Sequence, residues 1–163
     1  MTNKNIKRED GFTIIEVLIV LAIAGLIMLI VFLAVPALQR NARNTSRKSD
    51  ASSLASALAE YINNNDGQLP ASCTGAACAF ISNWKPGYYT AANVTYTNNT
   101  SAGTMGDPKS LDNISIGSYL TCGTGATAEQ ATGTGASSRS VAIVYDVETG
   151  GGGTGTEQCI TAN

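Results

Sequence analysis

The first eleven residues are mostly polar or charged, and residues 12–35 are then apolar except for one charge, Glu16. As a helix, that run extends roughly 36 Å, enough to cross the hydrocarbon core of a bilayer. Pro36 follows it. A proline removes one backbone hydrogen bond, so the helix either stops there or bends and continues. Beyond it, Leu54, Leu58, Tyr61 and Ile62 recur on one helical face, alanines fill much of the remainder, and Gly67 supplies a stop. The pattern predicts one bent helix over about residues 12–62, with Gly25 and Pro36 as the places where it gives way. After Leu69-Pro70 the period changes, and short runs of β-formers stand between Gly, Asn, Ser and Thr clusters. Candidate strands are residues 92–97, 114–122, 140–147 and 156–161. The third alternates most clearly, through Val141, Ile143, Tyr145 and Val147. Residues 123–138 read as an exposed loop of low complexity, and Gly150 to Gly153 as a flexible turn. The expected fold is α+β: a long N-terminal helix, its first half membrane-spanning, packed on a small antiparallel β-sheet head.

Charge divides the chain. Lys4, Lys7 and Arg8 precede the apolar run, and Arg40, Arg43, Arg47 and Lys48 follow it. From residue 51 onward only Lys85, Lys109 and Arg139 are basic, against eight carboxylates. An acidic head repels a nucleic-acid backbone, so no direct nucleic-acid binding is expected of it. The chain has no histidine, the commonest general base and metal ligand. No nucleophile–base–acid set, metal-ligand set or phosphate loop is recognisable, so the reading is not an enzyme, with no cofactor and no metal.

Three readings of the apolar run compete. Val35-Pro36-Ala37 offers small residues for a secretory cleavage, but the run exceeds the usual length of such a signal. A plain membrane anchor accounts for the length and leaves Glu16 unexplained. The third rests on Gly11-Phe12-Thr13-Ile14-Ile15-Glu16-Val17-Leu18, preceded by the basic residues Lys4, Lys7 and Arg8. This stretch resembles the processing motif of type IV pilins and pseudopilins. The resemblance in motif covers about the first quarter of the chain; the rest is similar to pilins in layout only. Glu9-Asp10 lowers the leader's positive charge without breaking an element of the motif.

The resemblance implies a division into residues 1–11, a leader removed by prepilin peptidase; 12–35, the transmembrane and filament-core helix; 36–66, its amphipathic continuation; and 67–163, the β head. It implies cleavage after Gly11 and N-methylation of Phe12. The precursor then sits in the cytoplasmic membrane with its N-terminus inside, although three basic residues before the run and four after it leave the charge rule indecisive. The implied product is a homopolymer of identical subunits, raised by membrane assembly machinery into an extracellular type IV pilus for adhesion, motility or DNA uptake. The alternatives are a pseudopilin of a type II secretion or competence system, and a membrane-anchored adhesin that does not polymerise.

Glu16 then acquires an assembly role. A carboxylate in lipid costs about 2 to 4 kcal/mol on lenient scales. The new amine of Phe12 would attract it by roughly 4 kcal/mol at 4 Å and an effective dielectric of 20. A neighbouring subunit docked at the wrong height would leave a charge unpaired, so Glu16 would set the axial step. The other reading has Glu16 snorkelling to the membrane surface.

Four cysteines, Cys73, Cys78, Cys122 and Cys159, all lie past the apolar run and point to disulfides in an oxidising location. They allow three pairings. The favoured one joins Cys73 to Cys78 in a local loop and Cys122 to Cys159, enclosing a C-terminal loop as pilins commonly do. Asp107 with Asp112, or Asp146 with Glu148, could hold calcium, but solubilising surface charge is the preferred reading. Arg43 and its basic neighbours read as a solvated face, or as a contact for acidic lipid or for another subunit's head. Sequons begin at Asn93, Asn98, Asn99 and Asn113 and are read as chance in so Asn-rich a chain. Trp84, Tyr88, Tyr89 and Tyr96 read as core and loop packing rather than an adhesive surface.

Overall fold

The computed structural model describes residues 11–99, 110–123, 131–132, 139–150 and 155–162. The basic leader residues, Asp107 and most of the expected loops at 123–138 and 150–153 lie outside the described residues. The chain divides into two units between Gln39 and Arg40.

One helix, α1, runs Ile14–Asn64 with Pro36 inside it. Of the two readings of Pro36, continuation is the one observed. The helix ends as its residues dictate. Asp66 and Gly67 take positive φ of 55° and 78°, and the Gly67 N–H donates to the Ile62 carbonyl at 2.8 Å. Such a left-handed turn closes a helix by satisfying its last carbonyls, and glycine adopts it without a Cβ penalty.

Within the second unit, the described residues form seven short strands: β1 Cys73–Thr74, β2 Val94–Thr97, β3 Ile114–Ser118, β4 Thr121–Cys122, β5 Ala131–Thr132, β6 Val141–Val147 and β7 Thr156–Ala162. Five of them form one sheet in the order β1-β2-β3-β6-β7. The expected antiparallel sheet is observed in three of its four pairings, and in the fourth β2 and β3 run parallel, with Val94 opposite Ile114 and Tyr96 opposite Ile116. A parallel pair cannot be closed by a tight turn, and the chain between Thr97 and Ile114 is long enough for a crossover. The expected strand at 114–122 is broken into β3 and β4 at Tyr119, whose φ is +59°. The β4 strand pairs instead with β5, inside the stretch expected to be loop.

The core explains why β6 alternates. Val141, Ile143 and Tyr145 lie in one buried cluster with Leu54 and Leu58 of α1, Ile114 and Ile116 of β3, and Phe80, Trp84, Tyr89 and Tyr96. Ala142 and Val144 lie in a second cluster with Leu120. The strand is therefore buried on both faces, and its alternation divides these side chains between the two clusters. Burying Leu54 and Leu58 contributes about 1.5 to 3 kcal/mol each. Phe80 stands edge-on to Tyr96 at 5.7 Å and to Tyr61 at 6.4 Å. Disulfides join Cys73 to Cys78 and Cys122 to Cys159. Gly155 is required by a close approach: a Cβ there would stand 2.7 Å from the Val147 carbonyl oxygen and 2.5 Å from Leu111 Cδ2.

Candidate functional site at the start of the long helix

In the first unit the site is built by Thr13 and Glu16, on the threshold of α1. The Thr13 backbone N–H and hydroxyl both donate to Glu16 Oε2, at 2.9 and 2.7 Å, and the Glu16 N–H faces Thr13 Oγ1 at 3.4 Å. This is a reciprocal capping box: Thr13 serves a donor at the helix start, and Glu16 reaches back to serve another. The carboxylate also lies where the helix dipole favours negative charge. Thr13 is the residue the sequence reading passed over. Its signal was present, because threonine followed by glutamate three residues later, just ahead of an apolar run, marks a helix start. Glu16 therefore has partners within its own chain, a possibility outside the two readings weighed above.

The side chains that follow are bare. Phe12 is 91% exposed, and every apolar side chain from Ile14 to Leu33 is exposed as well. A Cβ added at Gly25 would meet nothing within 4 Å. By length and composition the helix is apolar enough to cross a membrane. Contiguous exposed apolar surface of this extent requires a cover, either lipid or other protein.

The second unit holds the basic residues that follow the apolar run, and here a correction is needed. Arg43 and Arg47 are not a solvated face. Arg43 forks onto Glu148, with Nε 2.7 Å from Oε1 and Nη2 2.5 Å from Oε2. Arg47 is only 1% exposed and places Nη1 3.0 Å from the same Oε1. Its guanidinium lies 4.2 Å from the centroid of the Tyr88 ring and donates from Nη2 to the Tyr88 hydroxyl, which donates in turn to Asp112. Asn44 completes the clasp in both directions: its Nδ2 donates to the Glu148 carbonyl at 2.9 Å, and the Glu148 N–H donates to its Oδ1 at 2.8 Å. The periodicity placed Arg43 and Arg47 on one face correctly. It could not show that the face turns inward, because the partner carboxylate lies about a hundred residues away. Lys48 is exposed.

Glu148 is thus not solubilising charge. The Arg43 hydrogen bonds, with the nearby Arg47 charge, hold its carboxyl well below the usual range, at about 2. The same contact raises the Arg43 guanidinium above its ordinary value. Asp146 is buried, so the surface reading fails for it too. Among the described residues, no group of three or more His, Cys, Asp or Glu is placed to hold a metal ion.

Asp50 was also missed. It is 5% exposed, and its carboxylate accepts the backbone N–H groups of Gly87, Tyr88 and Tyr89 at 2.8, 2.7 and 3.1 Å. Nothing near Asp50 in the sequence signals this, since the loop it holds begins more than thirty residues on. Trp84 reinforces the same place, with Nε1 donating to Ser53 Oγ at 2.9 Å. Trp84, Tyr89 and Tyr96 are buried and form core rather than an adhesive surface. The Asn93 amide oxygen accepts from the Thr90 backbone N–H at 3.1 Å, as part of a local cap.

No curated protein and no solved structure matches the chain. Residues 6–32 match the family model of the prokaryotic N-terminal methylation motif, the class III signal peptide of type IV pilins, and the long apolar helix that this motif leads fits a membrane-anchored precursor.

Proposed function

We propose that the chain is a pilin precursor, cut after Gly11 by prepilin peptidase and methylated on the new amine of Phe12. Residues 12–35 hold it in the cytoplasmic membrane and then pass into the core of a homopolymeric extracellular filament. Residues 36–66 carry the head, residues 67–163, on the filament surface. The observation that supports this most is the coincidence of two features: the methylation motif over residues 6–32, and a helix whose apolar side chains from Ile14 to Leu33 are all uncovered. A membrane covers them before assembly, and helices of other subunits cover them afterwards. Gly25, with open space around its Cα, allows a neighbouring helix to approach closely, and Gly25 and Pro36 are the weak points where the helix gives way on assembly.

Glu16 sets the register. Oriented by the two Thr13 bonds to Oε2, it offers Oε1 to the Phe12 amine of a neighbour. Intact mass and N-terminal sequencing of protein sheared from cells test the reading. A chain beginning at methylated Phe12 supports it. A chain beginning at Met1 or Leu38 defeats it. A pseudopilin shares the same processing and differs in forming short filaments, which imaging of the cell surface separates.

A further inference from the structure

We infer that the head carries a binding pocket for a neutral hexose-sized sugar, beside the C-terminal end of α1. A hollow of about 480 Å³ lies there, lined by Gly67, Gln68, Asn98, Asn99, Tyr119 and Arg139 among others. That volume falls within the range of small-ligand sites. Its floor is rigid. Ser118 is fully buried, and its Oγ accepts the Asn99 N–H at 2.8 Å and donates to Asn98 Oδ1 at 3.1 Å. The Asn99 amide nitrogen donates to the Ser118 carbonyl at 3.2 Å, and that of Asn98 to the Pro70 carbonyl at 2.8 Å. These bonds fix the orientation of both amides before any ligand arrives, which lowers the ordering cost of binding.

The wall is unusual. Tyr119 holds φ at +59°, a conformation that a bulky side chain seldom adopts and that clusters at functional positions. The turn breaks the strand and leaves Tyr119 among the residues that line the hollow. Gly67, also in the lining, makes room for Arg139, whose Nη2 would stand 2.6 Å from a Cβ at that position. Among the described residues, neither the Gln68 amide nor the Tyr119 hydroxyl has a hydrogen-bond partner.

An amide supplies both donors and an acceptor, a phenol one of each, and a tyrosine ring offers a flat apolar face with little entropy to lose. Such a set matches a pyranose, whose hydroxyl edge and C–H face need those partners together. Among the described residues that line the hollow there is no carboxylate, so none of them selects a cation. The site belongs to the head alone and stands whether or not the chain polymerises.

The test uses the full chain in a sugar-free zwitterionic detergent. Saturation-transfer NMR is run with the methyl glycosides of glucose, galactose, mannose and N-acetylglucosamine. At least one should receive transfer, strongest on the face that meets the ring. Tyr119→Gly removes the ring and relieves the positive φ, and it should abolish the transfer while Trp84 emission stays native. If that variant does not fold, Gln68→Ala decides, because the Gln68 side chain is exposed and makes no hydrogen bond among the described residues; it should reduce transfer several-fold. No transfer to any of the four sugars at concentrations up to about 50 mM, or transfer unchanged in the folded variant, overturns the assignment.

Discussion

Replacing Glu148 by glutamine removes one charge and almost no volume, at the point where α1 is clasped to the head. The consequence follows from the site. The carboxyl of Glu148 titrates at about 2 rather than near 4.5, because the hydrogen bonds from Arg43 and the charge of Arg47 favour its ionised form. A shift of that size corresponds to roughly 3 kcal/mol at face value. Glu148 keeps 15% of its side chain exposed and Arg43 keeps 42%, so solvent screening reduces the figure. About 1 to 2 kcal/mol remains. Glutamine also leaves Arg47 buried with only Asn44 and Tyr88 as partners, which works in the same direction.

The pH dependence has a definite sign. The folded-state value is depressed, so the stabilisation is complete above about 4.5 and is lost as pH falls through about 2. Glu148→Gln should therefore unfold at a midpoint about 3 to 8 °C lower at neutral pH, and its curve should meet that of the native chain near pH 2. Trp84 is the reporter: it is the only tryptophan, it is buried, and it is hydrogen-bonded to α1 within a turn of Asp50. Thermal unfolding followed by its emission, on the full chain in detergent from pH 7 to pH 2, measures both effects. Equal midpoints at pH 7, or a gap that persists unchanged to pH 2, would show that the clasp carries no net stability.

Asp50→Ala should be more damaging. It strands three backbone N–H groups in a buried loop, at about 1 to 3 kcal/mol for each that water cannot reach, and denaturant unfolding should show a loss of at least about 3 kcal/mol or no folded head. Gly155→Ala forces a methyl group toward the Val147 carbonyl and Leu111, and the same measurement should show a loss of about 1 to 3 kcal/mol. Removing the Cys122–Cys159 bridge as a double alanine variant opens a span of 37 residues and should cost about 4 kcal/mol. The local Cys73–Cys78 bridge, closing a span of five, should cost about half as much by the same loop-entropy relation. Thermal midpoints of the two double variants, compared in parallel, check the order.

What was legible in the sequence was periodic or local. Leu54 and Leu58 announced the inward face of α1 by their spacing, and β6 announced itself by alternation. Gly67 marked the helix end to within a few residues because its left-handed turn is a local requirement. What was hidden was long-range and polar. Glu148 and Asp146 look like surface charge to any reading that sees only their neighbours, since the arginines that claim Glu148 lie about a hundred residues upstream. The parallel pairing of β2 with β3 was hidden for the same reason: strand direction depends on a crossover, and composition carries no record of it. Thr13 is a different kind of omission. Its capping box is local and was readable, but the cost of Glu16 in lipid drew attention to distant partners before near ones.

That omission bears on how register is held at each place along the helix. Apolar burial is non-directional, so Leu54 and Leu58 alone would tolerate sliding or rotation of α1 against the sheet. Within the second unit, directional bonds remove that freedom: Asn44 with both backbone groups of Glu148, and Asp50 with three successive N–H groups. Displacing the helix by one residue would break all of them together. The first unit has a long uncovered apolar surface, where packing against lipid or against a like helix is equally indifferent to height. Residues 12–35 carry one charge, Glu16, and Thr13 already orients its carboxylate. The registry role proposed for Glu16 is thus the rule of the clasp applied between chains. It carries a condition the bare charge did not: both hydrogen bonds that Glu16 accepts end on Oε2, so Thr13 turns the carboxylate and leaves Oε1 to an incoming amine. Thr13→Val removes the hydroxyl bond and keeps the shape. If register depends on that orientation, the variant should still be processed to Phe12 and should assemble with lower yield; if Glu16 serves only as a helix cap, assembly should follow helix stability alone.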